Sequence, residues 1–406
     1  MTVPRASFKI SLLASEIEEA NPVSANGFSQ AIHDVLPRVR ERRAEIEQVR
    51  QLPRDLVDDL AATGIFRLAL PKALGGAEVD PLDMMRVIEL VSSADGSTGW
   101  CTMLGIGSGA VGGYMREDGA REVFSTPDSP KALVAEPAGA AVREGQAVRV
   151  NGRWRFASGI THSDWAVLGC VMMKDGQPNM TPHGPEIVHA FVPASQLEVH
   201  DTWYVSGLCG TGSHDLTCSD VLVPQTRVLS LFDPAGFRPE PLYQMPVLSM
   251  VAPAVAVVAL GIARAAIDEL SEMAPAKLPS MSMSRLSEKP VTHIEVARAE
   301  AALGGARSFL YDAVDDLWQT VMSGQQPSMR QRALCRAASN HATETAAQVA
   351  RTASTLAGGT SVYNTSALQR HARDTDVITH HFTQSPQVWE DAGRALMGMD
   401  PLAPLF

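Results

Sequence analysis

The chain has 406 residues, 45% of them hydrophobic, enough to bury two or three adjoining cores. Its formal charge of −11 argues against nucleic acid or an anionic membrane as the main partner, since both call for clustered Lys and Arg. Five cysteines (Cys101, Cys170, Cys209, Cys218, Cys335) form no CxxC pair, which argues against a zinc site or disulfide framework and for a reducing cytoplasm.

Residues 1–28 lack sustained periodicity and any apolar stretch of signal-peptide length, so a loosely held N-terminal arm is expected. Residues 29–130 read as a helical domain. Ile32, Val35, Val39, Ile46 and Val49 fall at helical spacing, and Leu52, Leu56 and Leu60 make a second stripe that Gly64 stops. "LALPKALGGAEVD" then has the punctuation of a loop.

From about 131 the pattern changes. "AVRVNGRWRFASG", "DWAVLGCVMM", "EIVHAFVP", "LEVHDTWYV" and "DVLVP" are short alternating or β-branched runs separated by turn clusters, a β domain over 131–241. Residues 242–406 read as a helical bundle, in which Leu303, Ala306, Leu310, Val314, Leu317 and Val321 form one apolar stripe. The apolar run "PVLSMVAPAVAVVALGIA" (246–263) contains Ser249 and Pro253 and lacks an aromatic belt; a buried core helix is expected, with no membrane span. The order helical, β, helical implies a mainly α fold with a central β domain, an α+β arrangement of segregated layers.

Three motifs invite chemistry that their context does not support. "GSGAVG" (107–112) matches GxGxxG, but no β-branched strand precedes it, so small residues for close helix packing are the better reading. "SHD" (213–215) holds three triad residue types as neighbours, whereas triad members converge from separated positions. His371, His380, His381 and Glu390 match no common metal spacing, and no metal is expected. "THHFTQSP" (379–386) leaves two adjacent histidines, whose side chains titrate nearest neutrality.

Three blocks together resemble the acyl-CoA dehydrogenase fold, and more closely its two-component (group D) flavin-dependent monooxygenases. They are "ATGIFRLALPKALGGAEVDPLDMMRVIELVSSADGSTGWC" (62–101), "AEPAGAAVREGQAVRVNGRWRFASGITHSDWAVLG" (135–169) and "TLAGGTSVYNTSALQRHARD" (355–374). The resemblance implies an N-terminal helical domain, a middle β-barrel or sandwich and a C-terminal bundle. It also implies a noncovalently bound flavin, FMN or FAD, within a homotetramer. By the same resemblance Ser158 meets the flavin near N5 and O4, and Phe156 and Ala157 pack beside the ring. Phe156 and Ser158 are two apart, so on a strand they share a face. Trp100 and Ser163 are further candidate contacts. Gly358 and Gly359 let backbone approach the cofactor, and Arg285 is placed to reach a neighbouring subunit's flavin phosphate. Arg370, Arg373 and Asp374 are read as structural ion pairing.

A dehydrogenase of this fold needs a carboxylate base. At the position the resemblance assigns to it, this chain carries His381, and Pro241 through Ile267 contain no Asp or Glu. The resemblance therefore implies the oxygenase component: reduced flavin from a separate reductase reacts with O2 to give a C4a-hydroperoxide that hydroxylates a small aromatic substrate. His381 would serve as base toward a phenol-like substrate or hold the peroxide's proton, with His380 as the neighbouring candidate. The alternative is an acyl-CoA dehydrogenase-type oxidoreductase.

Overall fold

Ile32, Leu36 and Val39 recur at helical spacing, and they are the buried stripe of α1 (Asn26–Glu41). The computed structural model describes residues 26–182, 184–231, 238–403 and 406; the arm expected over 1–28 lies outside them up to residue 25. Five helices follow: α2 (Arg43–Val49), α3 (Arg54–Ala62), α4 (Pro81–Ala94), α5 (Gly96–Val111) and α6 (Glu117–Val123). Aspartates start the two long ones. Asp80 accepts the Asp83 amide beside Pro81, and Asp95 accepts both the amide and the hydroxyl of Thr98. "GSGAVG" falls on the last turns of α5 and the 3-10 turn after it, with helix rather than strand before it, so it forms no phosphate loop.

The β domain comprises β1 (Ala132–Glu144), β2 (Ala147–Ala157), β3 (Trp165–Lys174), β4 (Gln177–Pro178), β5 (Met180–Thr181), β6 (Gly184–Pro185), β7 (Ile187–Pro193), β8 (Glu198–His200), β9 (His214–Pro224) and β10 (Val228–Leu229). The main sheet runs β10-β7-β3-β1-β2-β9-β8, with β4 beside β3, while β5 and β6 make a separate ribbon. β1 and β3 are parallel, and the remaining pairs are antiparallel. Its core is organised by Trp154, which is fully buried and donates its indole N–H to the Gly169 carbonyl at 2.7 Å. The β2–β9 register shifts between Trp154 and Ala157, and Phe156 adopts a left-handed φ of +62° there. That conformation costs a non-glycine residue on the order of 1–3 kcal/mol. It also breaks the alternation on which the sequence reading relied. Phe156 is 56% exposed and Ser158 only 6%, so the two do not share an environment, and Ser158 lies just past the strand.

The C-terminal bundle contains α7 (Val247–Met273), α8 (Pro290–Met322), α9 (Met329–Ala357), α10 (Ala367–Ile378) and α11 (Pro386–Leu396). α7 is long and apolar enough to cross a membrane, but it is mostly buried against its neighbours as the central helix of the bundle. The stripe from Leu303 to Val321 is buried along α8, as its spacing implies. The layers are tied by polar contacts as well as by apolar packing. Glu89 on α4 accepts from Arg307 at 2.8 Å and from the Tyr311 hydroxyl at 2.7 Å, both on α8. Arg370 and Arg373 on α10 both pair with Glu47 on α2, and Arg373 also donates to the Ser206 carbonyl. Asp374 accepts the Leu208 amide at 2.6 Å. α10 is thereby fastened to the first helical layer and to the loop that leads into β9. The architecture is the mainly α, central-β arrangement that the sequence order implied.

The α4–α7 contact is close enough to need a glycine: a Cβ at Gly261 would stand 2.2 Å from the Glu89 carbonyl oxygen. Gly261→Ala should therefore destabilise the protein by about 1–3 kcal/mol despite alanine's higher helix propensity. Thermal or urea unfolding checks this, and a variant as stable as the parent would show the contact to be looser than described.

Candidate active site

At the end of β2 the chain turns inward and buries the Ser158 hydroxyl. Its Oγ lies 3.1 Å from Trp100 Nε1 and 2.6 Å from Ser213 Oγ. Ser213 Oγ is in turn 2.6 Å from Thr211 Oγ1, which donates to the Leu208 carbonyl at 2.9 Å. The ends of this chain set its direction, because an indole N–H can only donate and a carbonyl can only accept. Thr211 uses its proton on Leu208, so Ser213 donates to Thr211 and Ser158 donates to Ser213. Ser158 then has no proton to offer and one free lone pair. The Trp100, Ser158, Ser213 and Thr211 polar atoms satisfy one another without a carboxylate.

α5 sets Trp100 between that chain and the C-terminal bundle. Its ring meets the His381 imidazole edge-on, with centroids 5.6 Å apart at 76°. His381 caps the 3-10 turn Phe382–Gln384. Its Nδ1 lies 2.8 Å from Thr383 Oγ1 and accepts the Thr383 amide at 3.4 Å. Thr383 Oγ1 itself accepts from Gln384 Nε2 at 3.3 Å, an amide that also donates to the Ala252 carbonyl at 3.0 Å. Backbone amide and hydroxyl both point protons at Nδ1, so the imidazole hydrogen sits on Nε2. Burial pushes the His381 pKa down to about 4, and the charge of Arg336 adds to the shift. His381 is therefore a neutral ring presenting an N–H donor.

The structure brings Ser158, Trp100 and His381 together. It does not bring His380 with them: that side chain is 77% exposed, with Nε2 4.0 Å from Asp376. Phe156 packs edge-on to Trp203 at 6.1 Å on the open side of the β domain. Ala157, fully buried, pairs with His214 in the sheet. Ser163 donates to the Gly159 carbonyl and closes its own turn. Arg285 lies on an exposed connector with its guanidinium on the Pro275 carbonyl. Gly358 and Gly359 are exposed, with open space where a Cβ would stand, and the Gly358 carbonyl accepts the Ser361 hydroxyl at 2.7 Å. Among the described residues no group of three or more His, Cys, Asp or Glu is arranged to hold a metal ion. Sequence reasoning missed Thr211, Ser213 and Gln384. Ser213 was set aside with "SHD", and a partner 55 positions from Ser158 leaves no spacing signal. A buried hydroxyl with one free lone pair, held by the Trp100 indole, suits a ligand that presents an N–H donor.

The family model described as "Acyl-CoA dehydrogenase, N-terminal domain" matches residues 28–123, and the "Acyl-CoA dehydrogenase, C-terminal domain" model matches residues 254–386. The chain is 35% identical over 388 residues to an indole-3-acetate monooxygenase of Pseudomonas putida, covering 94% of this chain and 97% of that one. Its fold is similar to that of 3-HSA hydroxylase from Rhodococcus sp. RHA1, with a TM-score of 0.86, 26% identity and 94% and 99% of the two chains covered. It is equally similar to XiaF from Streptomyces sp. in complex with FADH2 and glycerol, at TM-score 0.86 and 26% identity, covering 97% and 100%.

The protonation state is directly testable. A folded-state pKa below the unfolded value means that His381 stays neutral as pH falls through 6 and charges only near 4, so stability is lost progressively from about 6.5, where the unfolded chain takes up its proton, down to about 4. Nitrogen-15 spectra of the imidazole should show the Nε2–H tautomer unchanged from pH 8 to about 5.5. Titration near 6.5 would contradict the buried, donor-type assignment.

Proposed function

The chain belongs to the acyl-CoA dehydrogenase family, and we propose that within it this protein is the oxygenase component of a two-component flavin-dependent monooxygenase. It takes reduced flavin, FMN or FAD, from a separate reductase and uses O2 to hydroxylate a small aromatic substrate. The relative from P. putida acts, by its name, on indole-3-acetate, and the aromatic class is carried to this chain on that similarity.

The observation that carries the reading is the direction of the hydrogen-bond chain through Ser158. A hydroxyl whose proton is committed to Ser213 accepts at its remaining lone pair. Reduced flavin carries a hydrogen on N5 and oxidised flavin does not, so the residues present fit the reduced form. Phe156 and Trp203 offer aromatic surface to the ring, and Trp100 closes the site toward α5. When bound, reduced flavin supplies the electrons that activate dioxygen and the oxygen transfer itself.

The chain's own residues do the rest. Ser158 would accept a hydrogen bond from the N–H of the bound reduced ring, which disfavours loss of that proton. Trp100 orients Ser158 through its indole N–H and keeps water from the ring edge. His381, fixed by Thr383 and Gln384, would present its Nε2–H as a donor in the site. This role replaces that of a resting base, since an imidazole held near 4 binds protons weakly at neutral pH. Among the described residues no carboxylate hydrogen-bonds to Ser158, Trp100 or His381, which leaves α-proton removal from an acyl thioester without its base.

The exposed apolar side chains Leu278, Met281, Met283, Val362 and Tyr363 support assembly into a homotetramer. Arg285, Gly358 and Gly359 lie on or beside those segments, where a neighbouring copy's flavin site would meet them. Light scattering should give a mass near four chains, and Met281→Lys with Met283→Lys should shift it downward. A monomer in the parent protein would rule the arrangement out.

Supplying reduced flavin, labelled O2 and a panel of small aromatics should yield product carrying one labelled oxygen. Ser158→Ala should keep consuming oxygen but divert it to hydrogen peroxide, with product falling about 10-fold or more for one lost hydrogen bond to the cofactor. Bleaching of bound oxidised flavin by an acyl thioester, with no oxygenated product from any aromatic, would establish the dehydrogenase alternative instead.

A further inference from the structure

Arg336 on α9 is a buried cation that makes no ion pair among the described residues. It is 4% exposed, and its Nε and Nη1 have no hydrogen-bond partner. The Phe406 ring lies 5.8 Å from its guanidinium carbon. Asp391 is the acid whose charge reaches it, yet Asp391 Oδ1 accepts the Leu402 amide at 2.6 Å and the Ala403 amide at 3.4 Å. Among the described residues Asp391 makes no ion pair with Arg336. A guanidinium removed from water without a counter-charge is destabilising, and bidentate carboxylate binding is the interaction that best offsets it.

The position of Arg336 gives the missing anion an address. Asn340 follows one helical turn later on the same face of α9, and its Nδ2 donates at 3.0 Å to the carbonyl of Ser385. Ser385 ends the turn that begins at His381. Two further atoms there lack partners: Asn340 Oδ1 and Gln384 Oε1. Arg336 is also close enough for its charge to act on the His381 ring. Two unpaired donors on α9 and two unpaired acceptors, one on α9 and one on the His381 turn, are thus buried on elements that the Asn340–Ser385 hydrogen bond joins. An anionic group answers the donors, and a ligand N–H or O–H answers the acceptors.

We infer that Arg336 anchors the carboxylate of an aromatic acid substrate, holding it between α9 and the His381 turn while its ring faces Trp100 and His381. This rests on the monooxygenase reading and adds to it the charge of the substrate. The guanidinium is suited to the task because its planar fork binds a carboxylate through two parallel hydrogen bonds, which a lysine cannot reproduce. A neutral aromatic would leave the cation as uncompensated as before, so the site selects acids over the corresponding amides.

The test is binding of indole-3-acetate and indole-3-acetamide to the full-length protein by calorimetry, under anaerobic conditions with reduced flavin present. The parent should prefer the acetate, and Arg336→Gln should weaken the acetate roughly 30-fold while changing the acetamide less than about 3-fold. Arg336→Lys keeps the buried charge and serves if the glutamine variant fails to fold. It should weaken the acetate roughly 10-fold and spare the acetamide. Equal binding of the two ligands by the parent, or equal loss of both in a folded variant, would overturn the assignment. Because binding is read without turnover, failure of the oxygenase reading shows separately: the acetate would bind through Arg336 yet gain no oxygen. Conversely, hydroxylation of a neutral aromatic with no preference for acids would remove the anchor and leave the oxygenase.

Discussion

One buried hydrogen bond, from the Trp100 indole to the Ser158 hydroxyl at 3.1 Å, makes a single site out of three separately folded segments. Trp100 belongs to a helix of the first layer and Ser158 to the rim of the β domain. The far edge of the indole touches a histidine from the C-terminal bundle. Each polar group in the chain beyond it is satisfied by the next until the Leu208 carbonyl ends the sequence. In a buried setting such a chain has little freedom, since reversing one hydroxyl would leave a donor or acceptor unpaired at a cost of about 1–3 kcal/mol. The direction of the protons is therefore a property of the fold. It determines what Ser158 can do.

The clamp on α10 serves the same end from the other side. Glu47 pairs with both Arg370 and Arg373, and Asp374 receives the Leu208 amide. Burial, opposed by the Leu208 amide and the Arg370 and Arg373 charges and aided by Asp95, leaves the Asp374 carboxyl raised to about 7. The residue whose carbonyl ends the hydroxyl chain is thus held through its amide by the helix that leads to His381. Ser158 and His381 are positioned by one continuous set of contacts, although 223 residues separate them (381 − 158).

Much of this was legible in the sequence, for identifiable reasons. The stripe from Leu303 to Val321 and the alternation in parts of β1 and β2 are periodic, and periodicity survives folding because it states which face is buried. His381 could be singled out by resemblance, yet only three dimensions separate it from His380, since a one-residue step on a turn reverses the direction of a side chain. The reading of Phe156 and Ser158 as face-mates failed because it assumed a regular strand, and the register shift with its left-handed residue sits just before the serine. Ser213 and Thr211 were illegible: hydroxyl partners from another strand and loop carry no pattern. Arg336 was illegible too, because an arginine on a helix reads as solvated until the packing shows it buried, with two guanidinium nitrogens unpartnered among the described residues.

The central claim is that the protons around Ser158 match the site to reduced flavin. It is tested most directly by comparing the affinities of the protein for reduced and oxidised forms of the same flavin under anaerobic conditions. The account predicts reduced flavin to bind at least about 10-fold more tightly, as one extra hydrogen bond to a buried group provides, with the difference lost in Ser158→Ala. Equal affinity for the two forms, or a preference that survives removal of the Ser158 hydroxyl, would contradict it.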